Sequence, residues 1–109
     1  MNALSDLIRL EMLLDSISKN LREIAKLKDN RRVRMIRTVI GDVRLAQWYW
    51  KDGRVTGMTG VMGSLASVKA TLANAASTGS AVTRSTLVTE AHRAVLSALH
   101  EVKTRTRNP

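Results

Sequence analysis

Apolar residues recur at alternating spacings of three and four along the first quarter of the chain. The repeat starts at Ala3 and continues through Leu7, Leu10, Leu14, Ile17, Leu21 and Ile24. Since an α-helix has about 3.6 residues per turn, this spacing predicts a helix with one apolar face, which the Asp29-Asn30 pair can end. Such a seam needs a helical partner. The partner is either another helix of the same chain or a second copy, in which case Leu7–Ile24 would form a homodimer seam.

The segment Arg31–Lys51 is predicted to be a second helix, because the same spacing continues in it. Its core-facing positions are Val33, Ile36, Val39, Ile40, Val43, Gln47 and Trp50. The alternative for residues 31–54 is a β-hairpin, since β-branched residues are frequent and Lys51-Asp52-Gly53-Arg54 would make a good turn. The helical spacing favours the helix, with Gly41 as a weak point that costs about 1 kcal/mol relative to alanine.

A third helix is predicted over about Thr59–Ala76. Gly57, Gly60 and Gly63 lie at its start, and their lack of side chains would let another helix come close. No Gly-Lys-Ser/Thr sequence follows these glycines, so they do not predict a phosphate-binding loop.

The fourth helix is predicted over about 84–103, with Thr83 or Ser85 as its cap. The polar, basic tail at 104–109 is expected to fray. Four amphipathic segments joined by short connections predict that residues 1–109 form a single all-α domain. That domain is either a small four-helix bundle or a helical homo-oligomer.

The composition agrees with this fold class. The chain has 109 residues, enough for one domain, and with three aromatic residues and no Phe its core must be aliphatic. Its one proline is Pro109, and cysteine is absent, which excludes disulfides and thiolate metal sites. Asp6 stands where a signal peptide would be basic, and no apolar run is long enough to span a membrane. We therefore expect a soluble, cytoplasmic protein.

The net charge of +9 is unevenly distributed along the chain. Residues 1–29 carry no net charge, whereas residues 30–54 carry seven bases and two acids, and residues 82–109 carry five bases and two acids. The second predicted helix is thus the electrostatic centre, and the tail with Arg105 and Arg107 is a second basic site.

The second helix separates its arginines from its apolar residues. At about 100° per residue, one arc of the helix forms what we call the arginine face. The arginine face carries Arg31, Arg34, Arg37, Arg44 and Trp48. Trp50 falls on the apolar side, as does Arg32, the one exception among the arginines of this helix. Gly41 lies on the arginine face and leaves a gap that a partner's backbone could enter.

An arginine row beside an exposed tryptophan predicts a nucleic-acid interface. Guanidinium groups bind phosphates through forked hydrogen bonds, and an indole can stack on an unpaired base. A cation–π contact between Trp48 and Arg44, four residues apart, is also possible. Arg105 and Arg107 would add a flexible second contact. No helix-turn-helix signature is clear, so we expect weak sequence specificity.

Two alternatives to nucleic acid stay open for the arginine face. It could dock on an acidic protein surface, since Trp and Arg are frequent interface hot spots, or it could be a plain solvated surface. A small, basic, non-enzymatic chain suits an adaptor, an inhibitor or a virion or assembly protein. The gene would then be viral or carried by a mobile element, and the protein would act in the host cytoplasm.

The remaining polar residues predict no catalytic or metal site. His92 and His100 are two helical turns apart, too far to bind one metal without other ligands. The acidic residues of the first helix form no catalytic pair, and no spacing supports a Ser/His/Asp arrangement. We therefore expect a non-enzymatic protein with no cofactor and no metal.

Overall fold

The structure, a computed structural model, describes the backbone of residues 3–51 and 59–107, and the side chains of residues 4–48 and 59–107. These residues form four helices: α1 (Ala3–Ile24), α2 (Asp29–Lys51), α3 (Thr59–Ser77) and α4 (Ala81–Arg107). The all-α prediction is confirmed. The β-hairpin alternative is wrong, because the chain is helical up to Lys51; residues 52–54 of its turn lie outside the described residues. No apolar stretch long enough to cross a membrane occurs in the four helices described.

Each helix packs against its neighbours in the chain, and α4 returns to pack against α1. The connections 25–28 and 78–80 are short, so the helices that they join run antiparallel. The result is an up-down-up-down bundle with a longest dimension of 43 Å, close to the length of about 40 Å expected for α4. In this ring α2 and α4 occupy diagonally opposite corners, and both begin at the same end of the bundle.

The core takes one apolar stripe from each helix and is built from Leu, Ile, Val and Ala side chains. The seam of α1 lies inside it, with every residue at most 8% exposed: Leu7, Leu10, Leu14, Ile17, Leu21 and Ile24. The chain's own helices therefore cover this seam. A homodimer through Leu7–Ile24 would require the bundle to open or to exchange helices. Self-association of the intact bundle stays a prediction.

α2 buries a narrower stripe than predicted. Ile36, Val39 and Val43 are fully buried, and Ala46 continues the stripe. Three residues of the predicted apolar side are only partly buried: Val33, Ile40 and Gln47. A corner helix has close neighbours on two sides only, so residues at the edges of its apolar arc stay partly in water. The side chain of Trp50 lies outside the described residues, so its core position stays a prediction.

The joint between α1 and α2 differs from the predicted one. α1 ends at Ile24, and Asp29 begins α2 instead of ending α1. Arg32 provides the physical reason: its Nε donates to the Leu27 carbonyl oxygen at 2.9 Å, and its Nη2 donates to that of Ala25 at 3.1 Å. Carbonyl groups just beyond a helix lack helical partners, so Arg32 caps this end of α1 from the first turn of α2.

α4 begins three residues earlier than predicted, at Ala81. The Oγ of Ser80 accepts a hydrogen bond from the backbone N–H of Thr83 at 3.2 Å. This is the geometry of an N-cap, so Ser80 caps α4, and the prediction of Thr83 or Ser85 is wrong.

At its other end α4 continues through residues 104–107, beyond the predicted end at 103. Val102 is fully buried there, and its carbonyl oxygen accepts a hydrogen bond from Thr106 Oγ1 at 2.9 Å. The core therefore extends far enough to anchor one more helical turn, and 104–107 are not an irregular tail. Residues 108–109 lie outside the described residues.

Arg84 ties three elements together at the end where α2 and α4 begin. It is 6% exposed, and its Nε donates to the Ala75 carbonyl oxygen at 2.9 Å. It also donates to the carbonyl oxygen of Thr78 and to the carboxylate of Asp29. One buried guanidinium thus joins the start of α4 to the end of α3, to the connection 78–80 and to the start of α2.

The predicted close approach of another helix to the glycines of α3 is not found at Gly60 or Gly63, because the atoms nearest to Gly60 belong to a side chain of α4 and not to its backbone. A Cβ at Gly60 would lie 3.2 Å from Oε2 of Glu101, on α4. A Cβ at Gly63 would meet nothing within 4 Å, and Gly57 is outside the described residues.

Candidate nucleic-acid interface

The arginine face of α2 is exposed to solvent from one end to the other. Its five members are all exposed: Arg31, Arg34, Arg37, Arg44 and Trp48. The opposite side of the same helix is packed into the core, so the helical period alone separates the two faces. At about 1.5 Å per residue, the arginine face is about 26 Å long between its first and last members.

The arginines of this face are not used in ion pairs within the described structure. None of the four lies within 4.0 Å of a described carboxylate oxygen. Elsewhere basic residues do find acidic partners, as in the pairs Lys19–Asp15, Lys26–Glu23 and Arg84–Asp29. An exposed guanidinium that lacks a carboxylate keeps its N–H donors and its full charge for an anionic ligand.

The second half of the arginine face also carries apolar surface. Trp48 is 42% exposed and Leu45 is 51% exposed. Gly41 lies one turn earlier, and a Cβ added there would meet no heavy atom within 4 Å, so the gap at this position is open. Leu45 was not among the predicted site residues, although it belongs to the same arc. A projection of every side chain in the arc, apolar ones included, would have found it.

A shallow groove runs along each side of Arg34. Both grooves share Asn30, Arg34 and Thr38, and the outer walls are Met35 on one side and Arg37 on the other. Neither groove is enclosed. Small-molecule sites are usually concave and bury most of the ligand, so this surface suits an elongated ligand lying along the helix instead.

Arg105 and Arg107 lie in the last turn of α4 and are exposed. They sit at the same end of the bundle as Trp48, but on the helix diagonally opposite α2. A ligand on the arginine face would reach them only by passing around that end. The two predicted basic sites therefore do not form one surface, and both arginines are on a helix and not on an irregular tail.

His92 forms a hydrogen bond between two helices. Its Nε2 lies 3.1 Å from Oγ of the buried Ser18, which joins α4 to α1. Burial lowers the pKa of His92 below its ordinary value, and the positive charge of Arg22 lowers it further. Within the two described ranges, no group of three or more His, Cys, Asp or Glu residues could hold a metal ion.

The chain matches no known protein family, no curated protein and no solved structure with which it was compared. Four-helix bundles support many unrelated functions, so the fold class alone does not select one. Function has to follow from the exposed residues of this bundle.

Proposed function

We propose that this protein binds nucleic acid through the arginine face of α2, without catalysing a reaction. The observation that carries the proposal is the row of four exposed arginines, none of which pairs with a described carboxylate. Nucleic acid presents regularly spaced phosphates along its backbone, and a linear row of guanidinium groups is complementary to that arrangement.

The same geometry favours binding with little dependence on base sequence. Contacts to phosphates position a protein on nucleic acid but do not read the bases. The members of the face that carry charge are all arginines, and each can neutralise a phosphate next to any base. We therefore expect affinities for unrelated sequences of one length to be similar.

A mobility-shift titration over a range of salt concentrations tests the proposal. Four phosphate contacts would make the logarithm of the association constant fall with the logarithm of salt concentration with a slope of about −3. Tight binding at low salt that weakens in this way is the expected result. If neither DNA nor RNA is shifted at low salt, the proposal is wrong.

The exposed apolar side chains support a second candidate. Leu45 and Trp48 lie within one turn of Arg44, and aromatic, apolar and arginine side chains together are common at protein interfaces. The protein would then be a small adaptor, inhibitor or assembly protein on an acidic protein surface. A pull-down from nuclease-treated lysate separates the two: a stoichiometric protein that survives nuclease, and is lost when Arg44 becomes Glu, favours this candidate.

A further inference from the structure

We infer that the arginine face binds single-stranded nucleic acid in preference to a duplex, with an unpaired base on Trp48 and neighbouring phosphates on Arg44 and Arg37. The inference rests on the proposed function and specifies the form of nucleic acid that the face takes.

The two halves of the arginine face differ in chemistry. The first half, Arg31 to Arg37, offers three guanidinium groups within about 9 Å of helix. The second half combines Arg44 with the exposed apolar surface of Leu45 and Trp48. A ligand that covers the whole face must present closely spaced negative charges and a flat apolar surface near them. A single strand has both, because its phosphates alternate with bases whose rings can be turned outward.

A duplex fits this face less well. Its bases are stacked on one another, so an indole outside the helix can meet only base edges, sugars or phosphates. The major groove of DNA can admit an α-helix, but it exposes only the edges of stacked base pairs. Even with α2 in the groove, Trp48 would therefore meet base edges and not the face of a ring.

The gap at Gly41 gives a strand room to lie against α2. It falls between Arg37 and Arg44, which are about 10 Å apart along the helix, and no heavy atom would lie within 4 Å of a Cβ there. A long side chain at this position would stand between the two arginines. Gly41→Gln should therefore weaken binding of a single strand while it stabilises the helix, a combination that a purely structural role for Gly41 would not produce.

Fluorescence anisotropy with the full chain tests the inference. The probes are a labelled oligodeoxythymidylate of about 12 nucleotides and a hairpin duplex of similar length. We expect the single strand to bind about 10-fold more tightly than the duplex. Trp48→Ala should remove most of that difference by weakening single-strand binding about 10-fold, with duplex binding changed less than about twofold. Trp48→Phe, which keeps an aromatic ring, should retain most of the preference.

Two further measurements distinguish a direct effect on binding from a loss of folding. In the Trp50→Phe protein Trp48 is the only tryptophan, and its fluorescence should be quenched by the single strand. Arg93→Gln removes an exposed arginine from α4, away from the arginine face, and should change both affinities less than about twofold.

Three outcomes would overturn the inference, and they are distinguishable. Equal affinity for both probes with no effect of Trp48→Ala would leave phosphate binding intact but contradict the single-strand preference. Absence of binding to either probe at low salt would contradict the proposed function as well. If poly-L-glutamate displaced the single strand as effectively as unlabelled oligodeoxythymidylate of equal charge concentration, the face would be assigned to an acidic protein surface instead.

Discussion

The bundle uses arginine in two different ways in two neighbouring regions. At the end where α2 and α4 begin, Arg32 and Arg84 turn toward the helix joints and donate to backbone carbonyl oxygens. On the arginine face, starting one residue before Arg32, the guanidinium groups have no described carboxylate partner. The first group holds the connections between helices together, and the second is available to a ligand.

Helical position, and not residue type, makes this difference. Residues one apart on a helix point about 100° from each other, so Arg31 and Arg32 face different surroundings. Carbonyl groups beyond a helix end lack partners, and a buried guanidinium needs acceptors for its donors, so each satisfies the other. The net charge of +9 therefore overstates what a partner can use, because part of it is already committed inside the fold.

Substitutions of the two tryptophans of α2 should differ most in their effects on stability and on ligand binding. Trp50→Ala should lower the free energy of unfolding by about 4 kcal/mol, because its predicted position is in the core. Trp48→Ala, at a side chain that is 42% exposed, should cost about 1 kcal/mol but weaken ligand binding. Urea denaturation and binding titrations measure the two effects. Equal destabilisation by both substitutions would contradict the assignment of the faces.

Replacing one arginine from each region should have different consequences for stability. Arg84→Met should lower the free energy of unfolding by about 3 kcal/mol, since it removes three hydrogen bonds and leaves the Asp29 carboxylate without its described partner. This loss of stability is at the low end of the range for breaking a buried ion pair, because the Asp29 side chain is 40% exposed and can be hydrated.

Arg34→Met is the matched control for that variant, because the same chemical change falls on the arginine face. It should alter stability by less than about 0.5 kcal/mol. Similar losses in the two variants, measured by chemical denaturation, would show that the two regions do not differ as described.

Substitutions of two helical glycines, Gly41 and Gly60, should also differ in their effects on stability. Gly41→Ala should stabilise the protein by about 1 kcal/mol, because alanine is the better helix former and a Cβ meets nothing within 4 Å. Gly60→Ala should gain less, because its Cβ would press on the Glu101 carboxylate at 3.2 Å. Thermal denaturation compares the two variants. A larger gain at Gly60 than at Gly41 would mean that the surroundings of α2 are more crowded than the structure shows.

The smallest expected effect concerns pH and the contact between α1 and α4. The pKa of His92 is lowered in the folded protein, so below about pH 6.5 the unfolded chain binds more protons than the folded one. The free energy of unfolding should therefore fall as the pH is lowered through this region. His92→Gln should remove this part of the pH dependence, and His100→Gln should preserve it. A dependence that survives His92→Gln would assign it to other groups.

Much of the fold could be predicted from sequence because it follows from one local property, the helical period. The seam of α1 and the separation of α2 into two faces need only the order of residues along the chain. Leu45 could have been predicted in the same way, since it projects onto the same arc as Arg34 and Trp48. Charged and aromatic residues alone do not mark this position, because Leu45 is neither.

The arginines at the joints could not be predicted in this way. Arg84 meets Asp29 across 55 positions of sequence, and no local pattern marks either residue as a partner. Arg32 stood out only as an exception on the apolar side, and its role depends on where α1 ends. Contacts of this kind exist only once the helices are packed, so they belong to the tertiary structure and not to any segment.

Phosphate binding by the arginine face can be measured through the salt dependence of a variant in which Arg31, Arg34, Arg37 and Arg44 are all changed to Gln. The wild-type protein and the Arg93→Gln control should both give a slope of about −3 for the logarithm of the association constant against that of salt concentration. The quadruple variant should melt within a few degrees of the wild type, and its slope should be less negative by about 3. A folded quadruple variant that binds nucleic acid with the wild-type slope would show that the arginine face does not bind the phosphates.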